Sequence, residues 1–211
     1  MPKVRIFCDL DCTLIDSERR YEDEKQIAAR LGVSRDDYEW AVDELYHRFG
    51  IARYSFTVLL EIIRERVPHV SSGLAEELMS LLDRNYFFPD SLNFLNQFRR
   101  RDLTLVTAGV IEVQLKKVET HGMKALMGDI VVTDSKPRAM GERKLDGRIH
   151  FFLDDAPREI EAVKRAHPDI VCIQMRIPPS WESQKYTNFA DVCLPNLAAA
   201  AEYIKRRAAR T

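Results

Sequence analysis

Glycine is scarce in this chain of 211 residues, at 8 in all, and no stretch repeats or is of low complexity. That excludes fibrous and disordered chains. Charge of one sign is missing too. The 32 basic and 33 acidic residues leave a net charge of −1, so nothing draws the whole molecule towards nucleic acid or an anionic membrane. No run approaches the roughly 18 apolar residues of a membrane span. "MPKVRIFCDL" meets an acid before it builds the apolar stretch of a secretion signal. A cytoplasmic monomer or homodimer is expected, with no nucleic-acid or membrane partner. Only 4 cysteines occur. Cys172 in "IVCIQM" and Cys193 in "DVCLP" read as small buried hydrophobes. Cys8 and Cys12 have neither a CxxC pattern nor a nearby histidine, which argues against zinc, and a reducing compartment argues against disulfides. Several enzyme signatures are absent as well. No cysteine is followed six positions on by arginine, no Gly-Lys pair forms a nucleotide loop, and neither GxSxG nor HExxH occurs.

What is present is a rhythm of short apolar runs: 4–8, 103–107, 129–133, 149–154, 169–174 and 190–194. None alternates cleanly with polar residues, as expected of parallel strands covered on both faces. Helical patterns lie between them. At 91–101 Leu92, Leu95 and Phe98 form one stripe; at 110–122 Val110, Val113 and Val118 point inward, ending at Gly122. At 155–167 Asp155 is placed to cap a helix carrying Pro157 in its first turn. The expected fold class is α/β, a three-layer Rossmann-like parallel-sheet core. One segment breaks the rhythm, since 17–88 offers only amphipathic helix, with its aromatics (Tyr38, Trp40, Tyr46, Phe49, Tyr54, Phe56) spaced as core packing. It is too long for a crossover and reads as an inserted all-helical domain, leaving 1–16 and 89–211 as the core. The C-terminal "YIKRRAAR" reads as a basic helix end answering the macrodipole and solvent.

The candidate site starts from "RIFCDLDCTLID", where Asp9 and Asp11 follow directly on the first strand. Sites in open parallel sheets lie at the carboxyl ends of strands, and two residues apart in extended chain these acids point roughly the same way. Asp154 and Asp155 follow another strand in "FFLDDAP". So many carboxylates repel unless a hard cation joins them, and oxygen ligands at this density suit Mg²⁺. "LTLVTAG" supplies the Thr107 hydroxyl and the amides around Ala108 and Gly109, an anion cradle near a helix start. "VVTDSKP" supplies Lys136 for a phosphate oxygen; Lys144 competes, but Lys136 lies closer to its strand end. Acids with a metal, a hydroxyl, amides and a lysine describe phosphoryl transfer.

The segments "DLDCT", "LVTAG", "DSKP" and "FLDD", in this order, resemble the four motifs of the haloacid dehalogenase superfamily. The helical insert resembles the cap of its α-helically capped members, so the resemblance spans essentially the whole chain. It implies Asp9 as nucleophile, giving an aspartyl-phosphate, and Asp11 as acid and then base. Mg²⁺ would be held by the Asp9 carboxylate, the Asp11 carbonyl and Asp154, with Asp155 contributing to the metal or only capping a helix. Thr107 and Lys136 would hold the phosphoryl group, and Thr13 would brace the turn. Members that cleave carbon–halogen bonds lack an acid at position 11, so the resemblance implies a phosphatase acting on a small phosphate monoester. Transfer to an alcohol, as in a phosphomutase, and a catalytically silent binding protein are the alternatives. Cys12 departs from the glycine usual there, and no steric obstacle is expected.

Overall fold

Five consecutive residues from Val4 to Cys8, four of them buried, begin the chain's first strand. Such β-branched and aromatic runs need cover on both faces, which sequential helices supply. The computed structural model describes residues 3–50, 54–144, 147–177 and 185–210. Among them the chain divides into two compact units.

The α/β unit comprises the residues up to Ser17, Phe87–Thr107 and everything from Gly122 onward. Its sheet has β1 (Val4–Cys8), β2 (Leu103–Ala108), β3 (Asp129–Thr133), β4 (Ile149–Asp154), β5 (Val171–Met175) and β6 (Val192–Leu194), in the order β3-β2-β1-β4-β5-β6. The pairs β1/β2, β1/β4, β4/β5 and β5/β6 are parallel. Strand order reverses direction at β1/β4, which opens a crevice at the carboxyl ends of these strands. The α/β class expected from sequence is the one observed, with strand bounds shifted by a residue or two. Phe7, Val106, Met140, Phe152, Ile160 and Val163 fill part of the core.

The second unit is helical and comprises Glu18–Tyr86 and Ala108–His121. It holds α1 (Ser17–Arg30), α2 (Arg35–Phe49), α3 (Phe56–Arg66), α4 (Leu74–Ser80) and α6 (Ile111–Thr120). Ser34 and Ser55 cap α2 and α3, their hydroxyls accepting from the amides of Asp37 and Val58. Tyr38, Leu45, Phe56, Leu59, Leu78 and, from α6, Val113 share one apolar cluster. The 108–121 segment thus lies beyond the 17–88 span expected for this unit. At the centre Glu24 is fully buried, ion-paired with Arg20 and accepting from the hydroxyls of Tyr38 (2.9 Å) and Tyr54 (3.1 Å).

Three expectations fail locally. The 91–101 helix is α5 (Ser91–Asn96) only, and it buries Ser91, Phe94 and Leu95 rather than Leu92, which is 45% exposed. The Ser91 hydroxyl donates to the Leu14 carbonyl at 2.6 Å, which turns the face expected to be apolar. Tyr46 and Phe49 are exposed at 44% and 40%, off the buried stripe of α2 that carries Tyr38, Ala41, Val42 and Leu45. Among the described residues no helix is long and apolar enough to cross a membrane. All four cysteines are free.

Candidate active site

The register of β1 on β4 pairs Cys8 with Leu153, and the Asp9 amide donates to the Leu153 carbonyl at 2.9 Å. The next residue on each strand is an aspartate, so Asp9 and Asp154 emerge side by side at the crevice. Both are buried, as is Asp155. One carboxylate oxygen from each of the three lies within 4.8 Å of the others. Lys136 completes the cluster, its Nζ donating to Asp9 Oδ1 and to Asp154 Oδ2, each at 2.6 Å.

"DSKP" places this lysine by local rules. Ser135 is the N-cap of α8 (Lys136–Gly141), accepting from the Arg138 amide, and Pro137 occupies the first turn, where its missing N–H costs nothing. Lys136 is therefore the first residue of a helix that starts three residues past β3. The competitor Lys144 lies elsewhere, its Nζ donating to Asp169 at 2.7 Å.

Burial sets the electrostatics. It pushes the Asp9 carboxyl up to about 7, with Asp154 and Asp11 adding to the rise and Lys136 opposing it. Asp154 is raised for the same first reason, again against Lys136. Burial pulls Lys136 down, but Asp154 and Asp9 outweigh it, and the ammonium stays charged. One carboxylate oxygen each from Asp9, Asp154 and Asp155 thus converges in a buried pocket beside one ammonium. That donor set fits a hard divalent cation such as Mg²⁺, held by Asp9, Asp154 and Asp155.

Asp155 is not a helix cap. Helix α9 (Pro157–Ala166) starts after Ala156 with no side-chain cap, and the oxygen that accepts from the Ala156 amide, at 2.9 Å, belongs to Asp154. The strand ends at Asp154, so it is this carboxylate that reaches forward over the turn, while Asp155 lends an oxygen to the acidic cluster.

Asp11 is half-buried, and the Ser17 hydroxyl donates to its Oδ1 at 2.5 Å. The turn between them closes through the Leu14 and Ile15 amides, which donate to the Leu10 carbonyl at 2.9 and 3.0 Å. Thr13 does not brace it as expected: its hydroxyl is buried and makes no hydrogen bond among the described residues. Cys12 adopts φ +54, the left-handed region. A side chain there costs about 1–2 kcal/mol that glycine avoids, so the expectation of no steric obstacle was wrong.

Thr107 is buried near the end of β2, next to β1. Ala108 closes the strand and Gly109 follows with φ +140. A Cβ on Gly109 would sit 2.6 Å from Nε2 of Gln114, which donates to the Ala108 carbonyl at 3.1 Å. The peptide is planar and trans, so tying down that carbonyl directs the Gly109 N–H the opposite way. Gln114 and Ser17 are the two positioning side chains that sequence reasoning missed. A polar residue on the inward side of α6, one position from Val113, was the available signal for Gln114. A serine heading the helix after the acid pair was the one for Ser17.

No protein-family model and no curated protein sequence matches this chain. Solved structures do match along its whole length. A haloacid dehalogenase-like hydrolase from Burkholderia xenovorans superposes with a TM-score of 0.76 at 18% identity, covering 98% of each chain. The HAD-type protein YfnB from Bacillus subtilis, in a magnesium-bound form, gives 0.71 at 14% identity over 97% of this chain and 99% of its own. L-2-haloacid dehalogenase from Xanthobacter autotrophicus, with chloropropionic acid covalently bound, gives 0.65 at 13% identity over 97% and 99%. The chain has the fold of the haloacid dehalogenase-like hydrolases.

Proposed function

We propose that this chain is a Mg²⁺-dependent phosphatase that hydrolyses a small phosphate monoester through an aspartyl-phosphate. The fold alone does not choose between carbon–halogen and phosphorus–oxygen cleavage, since a dehalogenase shares it. The observation that favours phosphate is Asp11, a second acid two residues beyond Asp9 that is half-exposed and steered by Ser17. An alkoxide leaving group needs a proton and a halide does not.

In this reading an Asp9 carboxylate oxygen bonds to phosphorus as the ester P–O bond breaks, and Asp11 protonates the departing alcohol. Asp11, now a base, takes a proton from water as the water's oxygen displaces Asp9 from phosphorus. Asp9 returns as carboxylate, phosphate leaves and Asp11 is reprotonated for the next turnover. The Thr107 hydroxyl and the Gly109 amide hold phosphoryl oxygens, with Gln114 fixing the direction of that amide. Lys136 offsets negative charge between Asp9 and Asp154 and keeps both oxygens in place. Mg²⁺, when bound at Asp9, Asp154, Asp155 and the Asp11 carbonyl, supplies charge neutralisation for the phosphoryl group. The helical unit acts as a substrate-selecting cap, and the substrate is a small phosphorylated molecule.

Phosphate release from a panel of monoesters, with Mg²⁺ or EDTA and with Asp9→Asn, tests this. Metal-dependent release that vanishes in Asp9→Asn is expected. Halide release from 2-haloacids without phosphate release would overturn it.

A further inference from the structure

The opposite end of the α/β unit, where the strands begin, carries charge of the other sign. Arg99, Arg100, Arg101 and Gly128 line a cavity of about 620 Å³. The turn that bears these arginines is held firmly. The Asp102 amide donates to the Arg99 carbonyl at 2.8 Å, and Arg5 Nη1 donates to the Arg101 carbonyl at 2.8 Å. Gly128 passes so close beneath that a Cβ would lie 2.6 Å from the Arg100 carbonyl oxygen and 2.9 Å from Arg101 Cα. The guanidinium of Arg100 is anchored by neutral groups, the carbonyls of Met127 (2.8 Å) and Lys124 (2.9 Å).

Elsewhere on the surface arginines meet carboxylates, as Arg30 meets Glu77, Arg48 meets Glu65 and Arg165 meets Glu161. Among the described residues none of Arg99, Arg100 and Arg101 has such a partner. Their charge is therefore uncompensated, and it is concentrated around one concavity. The same corner receives more. Helix α10 (Leu197–Ala209) is tied to it where Lys205 Nζ donates to Gln97 Oε1 at 2.6 Å, and Arg206 and Arg210 line a second cavity of about 250 Å³ on that helix.

We propose that the Arg99–Arg101 turn is a binding site for an oligophosphate anion. Guanidinium forks match phosphate oxygens in charge and geometry. The cavity lies within the roughly 300–1,000 Å³ of ordinary small-molecule sites, more than one phosphate needs. Three cations on one firmly held turn call for an anion of at least comparable charge. The site is separate from the acid cluster, since the arginine turn precedes Leu103 and Thr107 stands near the other end of β2, roughly 13 Å from Leu103 by strand rise. It does not depend on the reaction proposed above.

Titration calorimetry with inorganic triphosphate in EDTA, at low salt, tests the assignment on the wild-type protein, on Asp9→Asn and on the double variant Arg99→Ala/Arg101→Ala. Both replaced side chains are exposed, so the double variant should keep its melting temperature and its monoester hydrolysis. Binding is expected in wild type and Asp9→Asn alike, weakened roughly tenfold or more in the double variant, and weakened by added salt. Inorganic monophosphate should bind roughly tenfold more weakly than triphosphate. Equal triphosphate binding by the double variant, loss of binding in Asp9→Asn, parity between the two anions, or no binding to wild type at millimolar triphosphate would each overturn it.

Discussion

Each unit of this molecule buries carboxylates beside a cation, and the circumstances of the two are opposite. Glu24 in the helical unit is saturated: Arg20 takes one oxygen, and the hydroxyls of Tyr38 and Tyr54 take the other. In the α/β unit Lys136 bridges Asp9 and Asp154, and Asp155 adds a third converging carboxylate oxygen. Burial of a charge therefore does not by itself mark a reactive site. A network in which an ion pair and two hydroxyls engage one carboxylate holds helices in register, whereas three converging carboxylate oxygens make a donor set that a ligand can use.

The sharpest way to break the comparison is to remove one acid from each network. Asp9→Asn should lower kcat by at least roughly 10⁴-fold with little change in melting temperature, and Asp11→Asn by roughly 10² to 10⁴-fold. Glu24→Gln should do the reverse. It breaks the buried Arg20–Glu24 pair and costs about 3–5 kcal/mol of stability in urea titrations, while the folded fraction keeps its kcat. Next in size is the response to metal. Saturating Mg²⁺, near 100 times its Kd, should stabilise wild type by about 2.7 kcal/mol, and Asp154→Asn should abolish that gain while Glu24→Gln keeps it.

The smallest effect separates the networks by pH. Burial first, and then the Glu24 charge, hold Tyr38 and Tyr54 well above the ordinary tyrosine value. Both stay protonated in the folded chain when the unfolded chain ionises them, near pH 10. Their contribution is thus complete below that pH and is lost as pH rises past it. Tyr54→Phe should cost about 1 kcal/mol at neutral pH. It should also flatten the alkaline loss by up to about 1.4 kcal/mol per pH unit, read by denaturant titration at pH 9 to 11.

Much of this was legible in the sequence because it follows from local chemistry. Continuous apolar runs ending in acids announced a parallel sheet with carboxylates at its edge, and the closeness of Lys136 to a strand end singled it out over Lys144. What stayed hidden depended on neighbours or on backbone angles. The amphipathic pattern of α6 predicts a buried face, but periodicity cannot say which core receives Val113, and the receiver is the helical cluster. Asp155 has the composition of a cap, yet Asp154 takes the amide because the strand ends one residue earlier. The strain at Cys12 is a property of φ, which side-chain chemistry does not reveal.

The helical unit is built from two separate pieces of chain. The first departs after Ser17 and returns at Phe87, where Ile15 pairs with Phe87 and the Phe88 amide donates to the Leu14 carbonyl at 3.2 Å. That clasp makes 18–86 look like a module ready for transplantation. It is only part of one. A graft of 18–86 alone would leave its apolar cluster without Val113, so the donor must also carry 108–121. That second piece begins at Ala108, immediately after Thr107, and includes Gly109 and Gln114. In any exchange of helical units the loop after β2 travels with the graft, so the two roles proposed above, substrate selection and anion holding, would be inherited together.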